Sequence, residues 1–371
     1  MKIVHVIGAL AAGGAERFVV SLLKQLKKSG EDVSLWVLSS RIDKVGEAFN
    51  VELSNCEIPV YIGPTRQVGL GTLFWYGKKV RQKRPDLIHL HTPNTELVHF
   101  LTQGFKLTNS SIGSLSIYRT IHNTQLPAGW LENKAYRMNA ALCTIACGKA
   151  AYDAYHKTII SDMVTIQNGV DFAYPIRTQA ASLAAKKKLG INVDDFAFLN
   201  IGRMSGDNLH KAQKGHDVLI KAWKKSGLGK KQCSLHLLGD GVLKEDLEKI
   251  AGIDPSITFH GVQDNVLDWL QAADCFVMPS RYEGLPIAAI EAIGVGLPCV
   301  FSKIEPLQEL SPPVVLWFDV DNTEDLAVKM CQMAEEKPRV AIQGTEEFRN
   351  VFSISAVAAQ YRQVYMNQKR N

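Results

Sequence analysis

Short apolar runs of strand length alternate with segments of helical periodicity along nearly the whole chain, and the alternation comes in two series. Residues 2–7 form a buried-strand run. The Gly13-Gly14 loop follows, and then Phe18, Leu22, Leu23 and Leu26 recur at helical spacing. Further strand runs occupy 34–38, 87–90 and 117–122. After Asn168-Gly169-Val170-Asp171 the chain becomes turn-rich and passes through an Ala/Lys helix near 180–189. Strand runs then resume at 197–201, 234–238, 257–260, 275–278 and 298–301. Strands separated by helices pair in parallel and are covered on both faces, so the expected fold class is α/β with two Rossmann-like lobes. A chain of 371 residues also exceeds the size at which a single core stops growing. The expected divisions are 1–172, 173–354 and a final helix, 355–371, with Val357, Tyr361, Val364 and Tyr365 on one side.

Composition narrows the setting. The net charge of +5 is unevenly shared: residues 1–185 hold 20 Lys and Arg against 13 Asp and Glu, a surplus of 7, and the remainder holds 22 against 24. A basic first half suits an anionic partner such as a phospholipid surface or a lipid-linked diphosphate, or it is a solvated basic face. A nucleic acid fits the charge alone as well, but it is not among the partners expected. Seven cysteines occur without a Cys-x-x-Cys pair, and Cys143, Cys233, Cys275 and Cys299 sit inside apolar runs, as free thiols of a reducing compartment do. The apolar N-terminus is interrupted by His5 and leads into an amphipathic helix, which reads as a first strand and loop and not as a signal peptide. No run reaches membrane-spanning length. The expected location is cytoplasmic, with peripheral contact at the inner face of the membrane as an extension of that reading.

In open parallel sheets, ligands bind beyond the carboxyl ends of the strands. Four segments place polar residues there: Gly13-Gly14-Ala15-Glu16, Arg119-Thr120-Ile121-His122, Gly202-Arg203 through Lys214-Gly215, and Glu283-Gly284-Leu285-Pro286 through Glu291. The last is the most specific. Pro286 is placed as the first helical residue. Glu283 on the loop and Glu291 on the helix, eight positions apart or about two turns, can face one crevice, while the helix N-terminus offers amides to a phosphate. Paired carboxylates suit sugar and ribose hydroxyls.

The frame Pro-Ser-x-x-Glu-Gly-Leu-Pro around Glu283, with Glu-Ala-Ile-x-x-Gly-Leu-Pro beginning at Glu291, resembles the paired-glutamate signature of family-4 retaining glycosyltransferases of the GT-B fold. Gly-Gly-Ala-Glu, His-Leu-His, Asn-Gly-Val-Asp and Gly-Arg-Met leading to Lys-Gly agree in order, so the resemblance covers nearly the whole chain. It implies two lobes facing across a cleft, with the final helix crossing back to the first. By the resemblance, Glu291 holds the nucleotide ribose and Glu283 the transferred sugar, helped by backbone amides at Gly284 and Leu285. Arg203 and Lys214 clamp the diphosphate, and Gly14 lets the first lobe's backbone approach it. His122 sits beside the reacting sugar, and backbone near Val262 faces the base. The implied reaction moves a sugar from a nucleotide diphosphate donor to a glycan or lipid-linked acceptor, as in surface polysaccharide or lipopolysaccharide synthesis, with no metal and no other cofactor. A nucleotide-sugar epimerase of the same fold and a non-catalytic nucleotide-sugar binding protein are the alternatives.

Other features compete for the same roles. Lys211 rivals Lys214 for the phosphate, because about ten residues separate Arg203 from Lys214. His122 ends an apolar strand and, taken in isolation, reads as a core histidine. His89 and His91 alternate on a strand, but no third metal ligand is evident by spacing, and a role between the lobes is preferred. Asp319-Val320-Asp321 imitates a metal-binding signature yet lies far from any phosphate loop, and Gly239-Asp240-Gly241 is too short for a dinucleotide fingerprint. Leu70, Leu73, Phe74, Gly77 and Val80 are expected to form the core face of one helix, leaving a basic rim free to meet lipid headgroups.

Overall fold

The computed structural model describes residues 1–105, 115–125, 129–138, 141, 143–159, 161–338 and 341–367. The chain divides into two compact units: Met1–Asp171 with Ile354–Asn371, and Phe172–Ser353. Each division falls one residue before the expected position. Phe172 belongs to the second unit because its ring packs edge-on to Tyr174 and against Gly294, where an added Cβ would stand 2.1 Å from the ring. Ile354 belongs to the first because its amide donates to the carbonyl of Val170 at 2.9 Å. Residues 368–371 of the expected final helix lie outside the described residues.

The first unit is a parallel sheet of β1 (Lys2–Ile7), β2 (Asp32–Val37), β3 (Val60–Ile62), β4 (Leu87–Leu90), β5 (Ser116–Ile121), β6 (Cys143–Ala146) and β7 (Asp162–Thr165), in the order β3-β2-β1-β4-β5-β6-β7. The strand order turns around at β1 and β4, so the loops leaving their carboxyl ends diverge and open a crevice. Period-two alternation sorts the side chains. Val4, Val6, Ile88, Leu90 and Ile117 point to one face and pack under Leu73, Tyr76 and Val80 of the helix Leu70–Lys83. His5, His89, Tyr118 and Thr120 share the other, where Phe18 of the helix Gly14–Lys28 meets Tyr361 of the helix Ile354–Asn367.

The second unit contains β8 (Phe196–Ile201), β9 (Cys233–Leu238), β10 (Ile257–Gly261), β11 (Cys275–Met278), β12 (Cys299–Ser302) and β13 (Val315–Phe318), again all parallel, in the order β10-β9-β8-β11-β12-β13. Its turning point lies between β8 and β11. The interior strands are near-continuous apolar runs, as burial on both faces requires, and β9 and β11 are buried throughout.

Two sequence expectations are corrected. β3, β6, β7 and β13 were not foreseen; β3, β7 and β13 are short edge strands with half-exposed sides. In the helix Leu70–Lys83, Leu70 and Phe74 do not join the core but are 70% and 60% exposed. Leu73, Tyr76, Gly77 and Val80 turn inward at intervals of three and four, and this phase puts Leu70, Phe74, Lys78 and Arg81 together on the solvent side.

Candidate functional site

Arg203 follows β8, the Gly239-Asp240-Gly241 turn follows β9, Val262 follows β10 and Glu283 follows β11, so all four lie at the carboxyl edge of the second sheet. Glycines press these loops together. A Cβ on Gly239, at φ 128°, would stand 2.0 Å from the carbonyl oxygen of Gly202, and one on Gly215, at φ 61°, 2.1 Å from that of Pro279. No side chain larger than hydrogen fits at either place, and both need left-handed backbone. Gly239-Asp240-Gly241 is therefore a turn that zips the β9 loop to the β8 loop, with the Met204 amide donating to the Asp240 carbonyl at 2.9 Å.

Glu283 is 4% exposed and held by three donors. Lys214 Nζ stands 2.6 Å from Oε1, Ser280 Oγ donates to the same oxygen at 2.7 Å, and Gln213 Nε2 donates to Oε2 at 3.0 Å. The Lys214 stem lies against Gly202, where a Cβ would come within 3.2 Å of Cγ. Lys214 thereby lies against Gly202, the chain neighbour of Arg203, and on Glu283. Arg203 is exposed and has no hydrogen bond or ion pair among the described residues. Lys211 is exposed on the turn Leu209–Lys211 and does not reach Glu283. The helix carrying Glu291 runs Ile287–Val295 and has no side-chain cap. Pro286 is its N-cap in extended conformation and not its first helical residue. Only the second half of the interval from Glu283 to Glu291 is therefore helical, and the two carboxylates are placed by a loop and a helix, not by two turns of one helix. Gly284 and Leu285 are buried between them in sequence, and Glu291 is half-buried.

Gln213, Ser280 and Arg281 complete the constellation. Arg281 braces the loop from beneath, donating to the carbonyls of Leu209 and Ala212 at 3.3 and 2.7 Å and to both oxygens of Asp217 at 3.0 and 3.2 Å. Its Nε also pairs with Asp321 at 2.7 Å, while Asp319 pairs with Lys303 at 2.8 Å. Both carboxylates of the Asp319-Val320-Asp321 triplet are thus engaged by cations. His216, one residue beyond Gly215, is buried and neutral, its pKa lowered to about 4 by burial and by the charge of Lys214.

In the first unit, Gly14 opens the helix Gly14–Lys28 after β1 and is exposed. Phe18, one turn on, sets its ring edge against His122, immediately after β5. His122 does not stand alone. Its Nε2 is 3.1 Å from His91 Nδ1, and His91 Nε2 is 2.8 Å from His5 Nδ1. Beside this row, His89 bonds Tyr365 Oη at 2.6 Å and Thr120 Oγ1 at 2.8 Å. Burial holds His5 near pKa 3 and His122 near 4, with His89 and His91 well below the ordinary value.

The expectation that His89 and His91 lack a third ligand is corrected, because β1 pairs with β4 in a register that sets His5 beside His89. One nitrogen from each of His5, His89 and His91 lies within 4.8 Å of the others. Both nitrogens of His89 and of His91 are, however, already engaged, by Tyr365 and Thr120 and by His5 and His122, which makes the group a hydrogen-bonded array contained within the first unit. Among the described residues no helix is long and apolar enough to cross a membrane. All seven cysteines are free thiols, five of them buried.

Comparison with known proteins agrees with this layout. Residues 12–174 match the family model described as "Glycosyltransferase Family 4", and residues 196–336 match that described as "Glycosyl transferases group 1". An uncharacterized glycosyltransferase of Methanocaldococcus jannaschii is 32% identical over 141 residues, 37% of this chain and 33% of that protein's length. The lipopolysaccharide core biosynthesis glycosyltransferase LpsD of Rhizobium meliloti is 24% identical over 98% of both chains. Among solved structures, Anabaena HepE in complex with UDP-glucose shares the fold, with a TM-score of 0.78 at 18% identity over 99% of this chain and 100% of that one.

Proposed function

Because the chain belongs to the group 1, family-4 glycosyltransferases of the GT-B fold, we propose that it transfers a sugar from a nucleotide diphosphate donor to a glycan or lipid-linked acceptor, with retention and without a metal ion. The observation that carries the reading is the grouping of Lys214 on Glu283, with Arg203 exposed close by in the chain, at the turning point of the second sheet. Departure of a nucleoside diphosphate builds negative charge on phosphate oxygens, and fixed cations and amides aimed there lower the barrier. Arg203 has no side-chain partner among the described residues. Lys214 carries three N–H groups; one holds Glu283 and two remain for phosphate oxygens. Glu283, held by donors that include Lys214, Ser280 and Gln213, is the acceptor assigned to hydroxyls of the sugar, and the backbone at Gly284, Leu285 and the helix start is assigned to amide donation. Glu291 takes the ribose and Val262 marks the base side, and Gly14 and His122 keep the roles that the resemblance implies for them, at the diphosphate and at the reacting sugar. The leaving phosphate accepts the acceptor's proton on the face it departs from, which retains the anomeric configuration.

HepE was solved with UDP-glucose and LpsD is named for lipopolysaccharide core synthesis, which supports a nucleotide-sugar donor and a surface-glycan acceptor here. A thermal-shift screen of nucleotide diphosphate sugars tests the reading, since a ligand at a hundred times its Kd stabilises by about 2.7 kcal/mol. A preferred donor is expected, its shift diminished by Glu291→Ala, with turnover insensitive to EDTA. An epimer as sole product, or donor binding without turnover on any acceptor, replaces this function with another; loss of activity in EDTA removes metal independence. The exposed Leu70 and Phe74, flanked by Lys78 and Arg81, form the face by which the enzyme meets the cytoplasmic membrane surface. Co-sedimentation with phosphatidylglycerol vesicles should fall in Phe74→Glu, and equal binding by both proteins removes that face from the account.

A further inference from the structure

The row His5, His91 and His122 is a directed hydrogen-bond chain. The centroids of His5 and His91 are 5.0 Å apart with planes inclined by 19°, and those of His91 and His122 are 5.4 Å apart at 29°. Each separation exceeds the corresponding nitrogen–nitrogen distance by about the radii of two imidazole rings. The rings therefore meet edge to edge, with each hydrogen bond along the line of centres.

All three rings are neutral, because burial disfavours the imidazolium. A neutral imidazole carries one N–H and one bare nitrogen, so His91 can donate in only one direction. If His91 Nδ1–H donates to His122, its Nε2 accepts from His5 Nδ1–H, and the surplus proton of the row stands on His122 Nδ1. In the opposite sense it stands on His5 Nε2. Those two terminal nitrogens are enclosed and without a partner among the described residues. His5 lies in mid-strand with no exposure at all, whereas His122 lies just past the end of β5 and is partly exposed. A buried N–H without an acceptor is rarer and costlier than a bare acceptor, and of the two rings only His122 borders the surface, where a ligand that displaces what now covers Nδ1 supplies one.

We propose that His5 and His91 are positioning residues that hold His122 as the Nδ1–H tautomer, so that it donates a hydrogen bond to a hydroxyl oxygen of the transferred sugar and does not act as a base. This rests on the reading that His122 faces the donor sugar. His89 lies outside the row, fixed by Thr120 and Tyr365, and its flat packing against His91 at 4.4 Å keeps the His91 ring in plane.

Long-range proton–nitrogen correlation spectra of the full-length, 15N-histidine-labelled protein report the tautomer directly. The expected result is a protonated-type Nδ1 and a bare Nε2 on His122. His5→Leu shifts His122 toward the Nε2–H form and lowers kcat about tenfold with KM little changed. His5→Asn, whose amide N–H occupies the place of Nδ1–H, restores both. A wild-type His122 protonated on Nε2, or an unchanged tautomer in folded His5→Leu, overturns the proposal. If His5→Leu does not fold, the wild-type spectrum alone decides. Titration with a nucleotide diphosphate sugar separates the two readings. His122 signals that stay still on saturation remove it from the donor site, whatever its tautomer.

Discussion

Glu283 is bonded by Lys214, Ser280 and Gln213 before any ligand arrives, and this makes it structural as well as chemical. Glu283→Gln keeps an oxygen for Ser280 but leaves Lys214 without its anion. Hydrogen bonds to charged groups contribute about 1.5–3 kcal/mol, so a fall in Tm is expected alongside a loss in kcat on the order of a hundredfold. Glu291→Ala, half-buried on a helix, should instead raise the KM for donor with a smaller change in kcat. Calorimetry and steady-state kinetics on both variants check this; wild-type Tm and kcat in Glu283→Gln would sink the assignment. Both glutamates were legible because an unusual Gly-Leu-Pro frame surrounds them. Gln213 was not, since an amide beside a lysine carries no distinguishing pattern. His5 was hidden for another reason: a lone histidine in an apolar strand acquires its partners only through the β1 to β4 register, and sequence order does not reveal which strands are neighbours.

At the level of elements, the loops owe their placement to glycines of different kinds. Gly215 and Gly190 both have positive φ, at 61° and 70°, but a Cβ on Gly215 would collide with the Pro279 carbonyl while one on Gly190 meets nothing within 4 Å. Gly190→Ala should therefore cost only the left-handed backbone term, about 1–2 kcal/mol, and leave donor binding intact. Gly215→Ala must also move the β11 loop, and should lower Tm further and weaken donor affinity. Equal effects of the two in thermal melts and donor titrations would refute the close approach as the cause. Interior strands other than the four-residue β6 could be read in advance because burial on both faces demands unbroken apolar sequence. Of the edge strands only β10 could be, because half-exposed residues such as those of Asp162–Thr165 look like any loop. The helix Leu70–Lys83 shows the same limit: its apolar residues outnumber those the core accepts, and only the packed phase decides that Phe74 faces out.

Over the whole molecule, an unusual share of histidine is buried and neutral. His5 has a pKa held near 3, and His99 and His216 near 4, whereas each titrates near 6.5 once the chain unfolds. The unfolded chain thus binds protons that the native state refuses. Stability is complete above about pH 6.5 and declines as the pH falls from there toward 4, by up to about 1.4 kcal/mol per pH unit for each such histidine. Urea midpoints at pH 7 and pH 5 should differ clearly, with the lower value at pH 5; equal midpoints would mean that these rings are hydrated or charged in the native state. The two-lobed α/β class was readable from alternation alone, but the assignment of the final helix to the first unit is a matter of contacts. Tyr361 and Tyr365 pack beside Phe18, Thr120 and His89, residues encoded more than two hundred positions earlier. Since Ile354–Asn367 leaves the ribosome only after the entire second unit, the portion of the protein translated first must wait for the rest before its own interior is sealed. During that interval the nascent first sheet presents a polar, histidine-lined face to whatever binds unfinished chains, and Phe172–Ser353, although made later, is free to finish first.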